Sequence, residues 1–201
     1  MKSPQFEAVD ALRASTTKLV APVLGLLLLG FVCYADGDRD RDEDRDRHEH
    51  RPPRVPAELQ VPTGNVLAFR ATGVGAQIYV WTVNPTNPAL SSWVFKAPHA
   101  VLLRHHDLVG IHFAGPSWEG NDGSKVVGKR LAGVTVDATA IQWLLVQATS
   151  HSGAGNFADV TYIQRLNTVG GLAPTEPGAL DGQEAVVPYI ADYVFYHATG
   201  R

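Results

Sequence analysis

The chain has 201 residues, 45% of them apolar and 18% charged, the balance of a globular protein rather than a disordered one. Its formal net charge of -3 leaves no basic excess with which to hold nucleic acid. One cysteine and one methionine exclude an internal disulfide framework and a cysteine-built zinc or iron–sulfur site.

Leu19 to Ala35 is an uncharged run of 17 residues, preceded by Lys2, Arg13 and Lys18 and closed by Cys33-Tyr34-Ala35. That layout predicts a secretory signal peptide over residues 1–35, with cleavage after Ala35 and a secreted or periplasmic product. The run is short for a bilayer span of about 20 residues, and Pro22, Gly25 and Gly30 interrupt it. The rival reading is an uncleaved anchor, with the membrane met only through this segment. Gly30-Phe31-Val32 is too bulky to precede a lipid-modified Cys33. Cleavage leaves a mature chain without cysteine, whose stability outside the reducing cytoplasm rests on packing.

Residues 36–56 read as a charged linker. Asp36 to Arg54 holds eight carboxylates and six arginines with no apolar residue among them, so it has no surface to bury against its ordering entropy. Asp36, Asp38, Asp40 and Asp42 are spaced like a calcium loop, but the glycine at the sixth position and the glutamate at the twelfth are missing. His48 and His50 offer at most a weak grip on a stray metal. Pro52, Pro53 and Pro56 stiffen the exit, and a solvated spacer accounts for the whole stretch.

Residues 57–201 are predicted to be a single β-rich domain. Short apolar runs alternate between glycine- and proline-rich turns. They are Val66 to Arg70, Gln77 to Val83, Trp93 to Phe95, Ala100 to Leu103, Leu108 to Ala114, Lys125 to Lys129, Leu131 to Val136, Val160 to Thr168 and Val186 to Tyr196. Ile141, Leu144, Leu145 and Ala148 also fit helical spacing, but Trp143 and Val146 fall off that stripe and Gly153 soon follows; a buried strand is the reading kept. About ten short strands with at most one short helix predict an all-β fold, an antiparallel β-sandwich or a closed β-barrel.

Several catalytic motifs fail. Gly73-Val74-Gly75 meets Ile78 where a dinucleotide fingerprint needs its third glycine. Gly115-Pro116-Ser117-Trp118-Glu119 ends in glutamate where a nucleophile elbow needs glycine. The densest stretch is Gly110 to Val126. Val109, Ile111 and Phe113 are expected to face the core, with His112 on the opposite face beside Gly110 and Ala114. Asn121-Asp122-Gly123 reads as a hairpin turn. His112, Trp118, Glu119 and Asp122 are thereby candidates to converge, bringing a proton-transfer group, a stacking face and two carboxylates together. Simple turn chemistry for Asp122 and a hydrogen-bonded core role for His112 explain the same residues. His105, His106, Asp107 and His112 cluster in sequence, yet neighbours on an extended chain point apart, so a polar turn is preferred and no metal site is assigned. Arg165 and Asp192 each interrupt an apolar run, and a cross-strand ion pair is the predicted solution to burying them.

Gly73 to Tyr79, Trp93 to Pro98, Gly110 to Gly128, Trp143-Leu144-Leu145, Val160 to Leu166, Gly170 to Pro174 and Val187 to Tyr193, in this order, resemble a family known as domain of unknown function 3455, found in bacteria and fungi. The resemblance covers almost all of residues 57–201 and implies an exported protein, with no settled activity or catalytic residues. It also implies a cysteine in many relatives where Trp81 stands and another near Gly178; both are absent here, consistent with joint loss of a disulfide. A dehydrogenase label borne by some fungal relatives is not supported by the failed dinucleotide fingerprint.

Three functions follow from these residues. The leading one is a non-enzymatic exported or envelope-surface domain that binds a small polar ligand or saccharide through Trp118, His112 and Glu119, without a cofactor. The alternative is an enzyme using His112 with Glu119 or Asp122 as an acid–base pair. The third is a purely structural surface protein.

Overall fold

The computed structural model describes residues 51–200. The predicted signal peptide, most of the charged linker with its calcium-like spacing, His48 and His50 lie outside these residues. Within them the fold is all-β: eight antiparallel strands close into one barrel in simple sequential order. They are β1 (Asn65–Thr82), β2 (Ser92–Arg104), β3 (Asp107–Phe113), β4 (Ser117–Gly120), β5 (Lys125–Val134), β6 (Trp143–Ser152), β7 (Val160–Gly170) and β8 (Glu184–Ala198). β1 pairs with both β2 and β8, which closes the cylinder and removes the free sheet edges. No helix among the described residues is long and apolar enough to cross a membrane.

Eight strands replace the expected ten because glycine and proline here bend strands rather than end them. Gly73 and Gly75 lie inside β1 and Pro98 inside β2, each of which joins runs that read separately in sequence, and β5 continues through Arg130 in the same way. Register shifts at Ile78/Tyr79, Val127/Gly128 and Arg130/Ala132 supply the curvature that closure needs. Gly73 also makes room for an aromatic ring, since a Cβ there would lie 2.5 Å from Tyr193 Cε2. Ile141 to Ala148 is extended from Trp143 onward, as β6.

Alternation puts Phe69, Ala71, Gln77 and Tyr79 of β1 and Tyr189, Ala191, Tyr193 and Phe195 of β8 on the buried inner face. One end of the barrel is packed shut. There Phe157, on the loop between β6 and β7, meets Phe69 edge-on at 5.5 Å and Phe195 at 5.1 Å, and Phe69 stacks on Phe195 at 4.5 Å. The same end carries the β2–β3 turn, where His105 and His106 both take left-handed backbone angles (φ 51° and 74°). The longer connections gather at the opposite end.

The barrel's outer face is apolar in two places. Leu67, Leu166, Val194 and Tyr196 are covered by Val55 and Val61. Next to them a single 3-10 turn, Ala57–Leu59, anchors the segment: Gln164 Nε2 donates to Leu59 O (2.7 Å) and Tyr196 Oη donates to Gln164 Oε1 (2.8 Å). The chain therefore lies on the barrel before Pro56, where the linker was expected to end. The second place is a row of register neighbours, Ile111, Val101, Val74, Ile190 and Val169, all exposed. Between strands, Gly178 rests on Trp81: a Cβ on Gly178 would lie 2.6 Å from Trp81 Cβ.

Candidate functional site

The inner wall does not meet at the centre of the loop-rich end. It leaves a cavity of about 510 Å³ that opens among the β3–β4 turn (Ala114, Pro116), the β5–β6 loop (Gln142) and the β7–β8 loop (Leu172). That volume suits one small organic molecule, and eight-stranded barrels are wide enough to hold one. Ile141 fixes the lip, because its amide donates to Gly170 O (2.9 Å) and its carbonyl accepts from Thr168 Oγ1.

His112 and Trp118 form the aromatic side of the cavity. They are direct partners across β3 and β4, which puts both rings on the inner face, stacked at 4.5 Å and 13°. Tyr193 meets His112 at 5.1 Å and Trp118 edge-on at 5.8 Å. His112 Nδ1 donates to Ser117 O (2.9 Å), so the ring carries its proton on Nδ1 and presents Nε2 as an acceptor. Burial pushes its pKa down to about 3; the Ser117 hydrogen bond opposes this and the Arg165 charge adds to it. The imidazole is neutral at physiological pH.

Arg165 is the principal charge inside. It sits on β7 opposite Tyr193 of β8, and its Nε and Nη2 both donate to Gln142 O (3.2 and 2.9 Å). Its surroundings are apolar and phenolic: burial lowers its pKa, and Tyr193 and Tyr189 work in the other direction. Tyr189 and Tyr193 hydroxyls bond each other at 3.0 Å. Burial raises both phenols, Tyr193 well above the ordinary value, so both keep their protons and neither neutralises the guanidinium. Tyr79 Oη donates to Gly171 O (2.6 Å). The charged residues lining the cavity are Lys96, Arg130 and Arg165, all basic. Lys96 pairs with Glu184, and Arg130 Nη2 donates to Gln142 Oε1 (2.7 Å). Among the described residues, Arg165 has no carboxylate partner.

Two buried donors complete the lining. Trp118, 2% exposed, has an Nε1–H with no hydrogen-bond partner. Gln77 Nε2 likewise completes none, although the amide lies close enough to Tyr189 to favour its ionised form slightly. Unsatisfied buried donors are uncommon in native interiors and call for an explanation.

The structure brings together His112 and Trp118 but not the carboxylates expected beside them. Glu119 pairs in register with Ile111 on the outer face, with Lys125 Nζ at 3.7 Å. Asp122 is at the closed end, where it is a clamp: Oδ1 accepts from Ser124 N and Oγ (2.9 and 2.6 Å), and Oδ2 accepts from Asn156 N (2.8 Å). These bonds hold its pKa below the ordinary carboxylate value. Ser124 Oγ accepts from Phe157 N (3.0 Å), so the clamp holds the phenylalanine plug. The His112 acid–base pair is therefore not assembled. Nor is the Arg165–Asp192 ion pair, because β7 and β8 register places Arg165 against Tyr193 and Asp192 against Leu166, on opposite sides of the wall. Asp192 instead accepts from Thr72 Oγ1 (3.3 Å) and Asn167 Nδ2 (2.9 Å). The orientation of β3 is also reversed from expectation: Ile111 is outside and His112 inside, since the face that lines a cavity need not be the more apolar one. His105 and His106 stay in their turn at the closed end, and no group of three metal-ligating side chains forms among the described residues.

Tyr189, Tyr193, Gln77 and Gln142 are site residues that sequence reasoning missed. The signal for the first two was present in β8, where Tyr189, Ala191, Tyr193 and Phe195 recur at period two.

Residues 62–197 match the family described as "Protein of unknown function (DUF3455)", and the chain belongs to that family. Neither the curated proteins nor the solved structures compared with the chain include a match.

Proposed function

We propose that this family member is a non-enzymatic binding domain that takes a small molecule with a polar head into the barrel, and that it works outside the cytoplasm. The observation that carries the binding part is the cavity of about 510 Å³, opening at the loop-rich end and walled by Ile163, Leu144 and Val146 beside His112 and Trp118. Apolar walls with a few polar groups are the usual make-up of a ligand site. Export rests on the signal-peptide pattern of residues 1–35.

An acid–base role for His112 has little support: the ring is neutral, its Nδ1 is committed to Ser117, and neither Glu119 nor Asp122 lies on its side of the wall. A saccharide stacked on Trp118 is disfavoured too, because His112 already covers a face of the indole.

The test is a thermal-shift series on the full chain with small apolar and amphiphilic compounds, repeated on Ala114→Trp. Ala114 is exposed at the mouth, so an indole there should fold and block the opening. Compounds that raise the wild-type midpoint should lose that effect in the variant, as ligand linkage requires. Equal shifts in both proteins would place binding elsewhere.

A further inference from the structure

We infer that the ligand is an organic anion, a carboxylate in the simplest case, whose charged head is held by Arg165 and whose apolar body fills the remaining cavity; this rests on the binding reading above. Arg165 is half-buried, and a guanidinium drawn even partly out of water is costly unless an opposite charge meets it, a charge that protein interiors usually supply themselves. Here the protein supplies a carbonyl, Gln142 O, and the Tyr193 hydroxyl. One carbonyl oxygen cannot satisfy five N–H donors arranged as a planar fork, and the fork's natural complement is a carboxylate.

The rest of the lining agrees in chemistry. The polar groups in and beside the lining include two donor atoms without a partner, Trp118 Nε1–H and Gln77 Nε2, and two phenols that bond each other. His112 Nε2, the Gln77 amide oxygen and the phenol oxygens are the acceptors beside them. Arg130 is of the same sign as Arg165, Lys96 at the opening is paired with Glu184, and no aspartate or glutamate lines the cavity. A cation has no carboxylate to meet it here. The body must be apolar, since Ile163, Leu144, Val146, Phe95 and Leu172 form the remaining surface.

The experiment compares two probes of one shape, 2-naphthoate and 2-naphthamide, by calorimetric titration into the full chain and its Arg165→Met and Arg165→Lys variants. Naphthoate should bind wild type at least about tenfold more tightly than the amide. Arg165→Met should remove that preference and change amide affinity by less than about threefold, and Arg165→Lys should keep part of it. Near-UV circular dichroism checks that the variants retain wild-type packing; should the methionine variant fail to fold, the wild-type ratio and the lysine variant decide. Equal binding of the two probes to wild type would overturn the anion assignment and leave the cavity reading intact. Failure of both probes to bind would overturn both readings.

Discussion

His112 offers a direct test of the interior chemistry, through acid rather than through a ligand. In the folded barrel its pKa is lowered from 6.5 to about 3, chiefly by burial. As pH falls through 6.5 the unfolded chain takes up a proton at this residue and the folded chain does not. The stability contributed by neutral His112 is therefore complete above pH 6.5 and lost progressively down to about pH 3. At about 1.4 kcal/mol per pH unit, lowering the pH from 6.5 to 4.5 should cost on the order of 3 kcal/mol from this ring alone. Asp122 does not contribute in that window: its pKa is depressed, so its stabilising effect fades only as pH falls below the ordinary carboxylate range. The assay is urea unfolding of the full chain at pH 7.0, 5.5 and 4.5, paired with His112→Gln. The rest of the chain is common to both proteins, so the difference between the two slopes isolates His112. Wild type should lose roughly 3 kcal/mol more than the variant over the two units. Parallel slopes would show that His112 protonates freely in the folded state and is not enclosed as described.

Three further substitutions probe the framework around the cavity. Phe157→Ala removes the plug between Phe69 and Phe195 and should cost about 3–5 kcal/mol in urea unfolding; a loss below about 1 kcal/mol would mean the closed end is not packed by this ring. Gly73→Ala sets a methyl against the Tyr193 ring and should cost about 1–3 kcal/mol with an altered near-UV spectrum, whereas an unchanged spectrum and midpoint would show that the ring has room to move. His106→Gly relieves a left-handed backbone angle and should raise the urea midpoint by the equivalent of roughly 0.5–1 kcal/mol; a lower midpoint would contradict the strained turn.

The barrel was legible in the chain because period-two hydrophobicity and turn residues are local signals. Phe69 and Ala71 alternate with polar or small neighbours, and no helical template competes over such stretches. Alternation divides a strand into two faces without saying which lies inside. In β3 that choice went to His112 rather than to Ile111, because the barrel's interior is partly a chamber and its exterior carries an apolar row. Strand count was overestimated for a related reason: a proline or glycine reads as a break, whereas Pro98 and Gly73 sit inside long curved strands. The partners of Arg165 were not legible, since a register offset of one residue between β7 and β8 exchanges Tyr193 for Asp192. Trp118 and His112 were found together because they are only a turn apart, six positions along the chain. Glu119 and Asp122, equally near in sequence, were carried away by the pleat and by the hairpin.

The account depends most on the barrel interior being where a ligand goes. Intermolecular nuclear Overhauser effects between 2-naphthoate and methyl-labelled full chain test this directly. Contacts to Ile163, Leu144 and Val146 are the predicted result, and contacts confined to the outer row of Ile111, Val101, Val74 and Ile190 would contradict it.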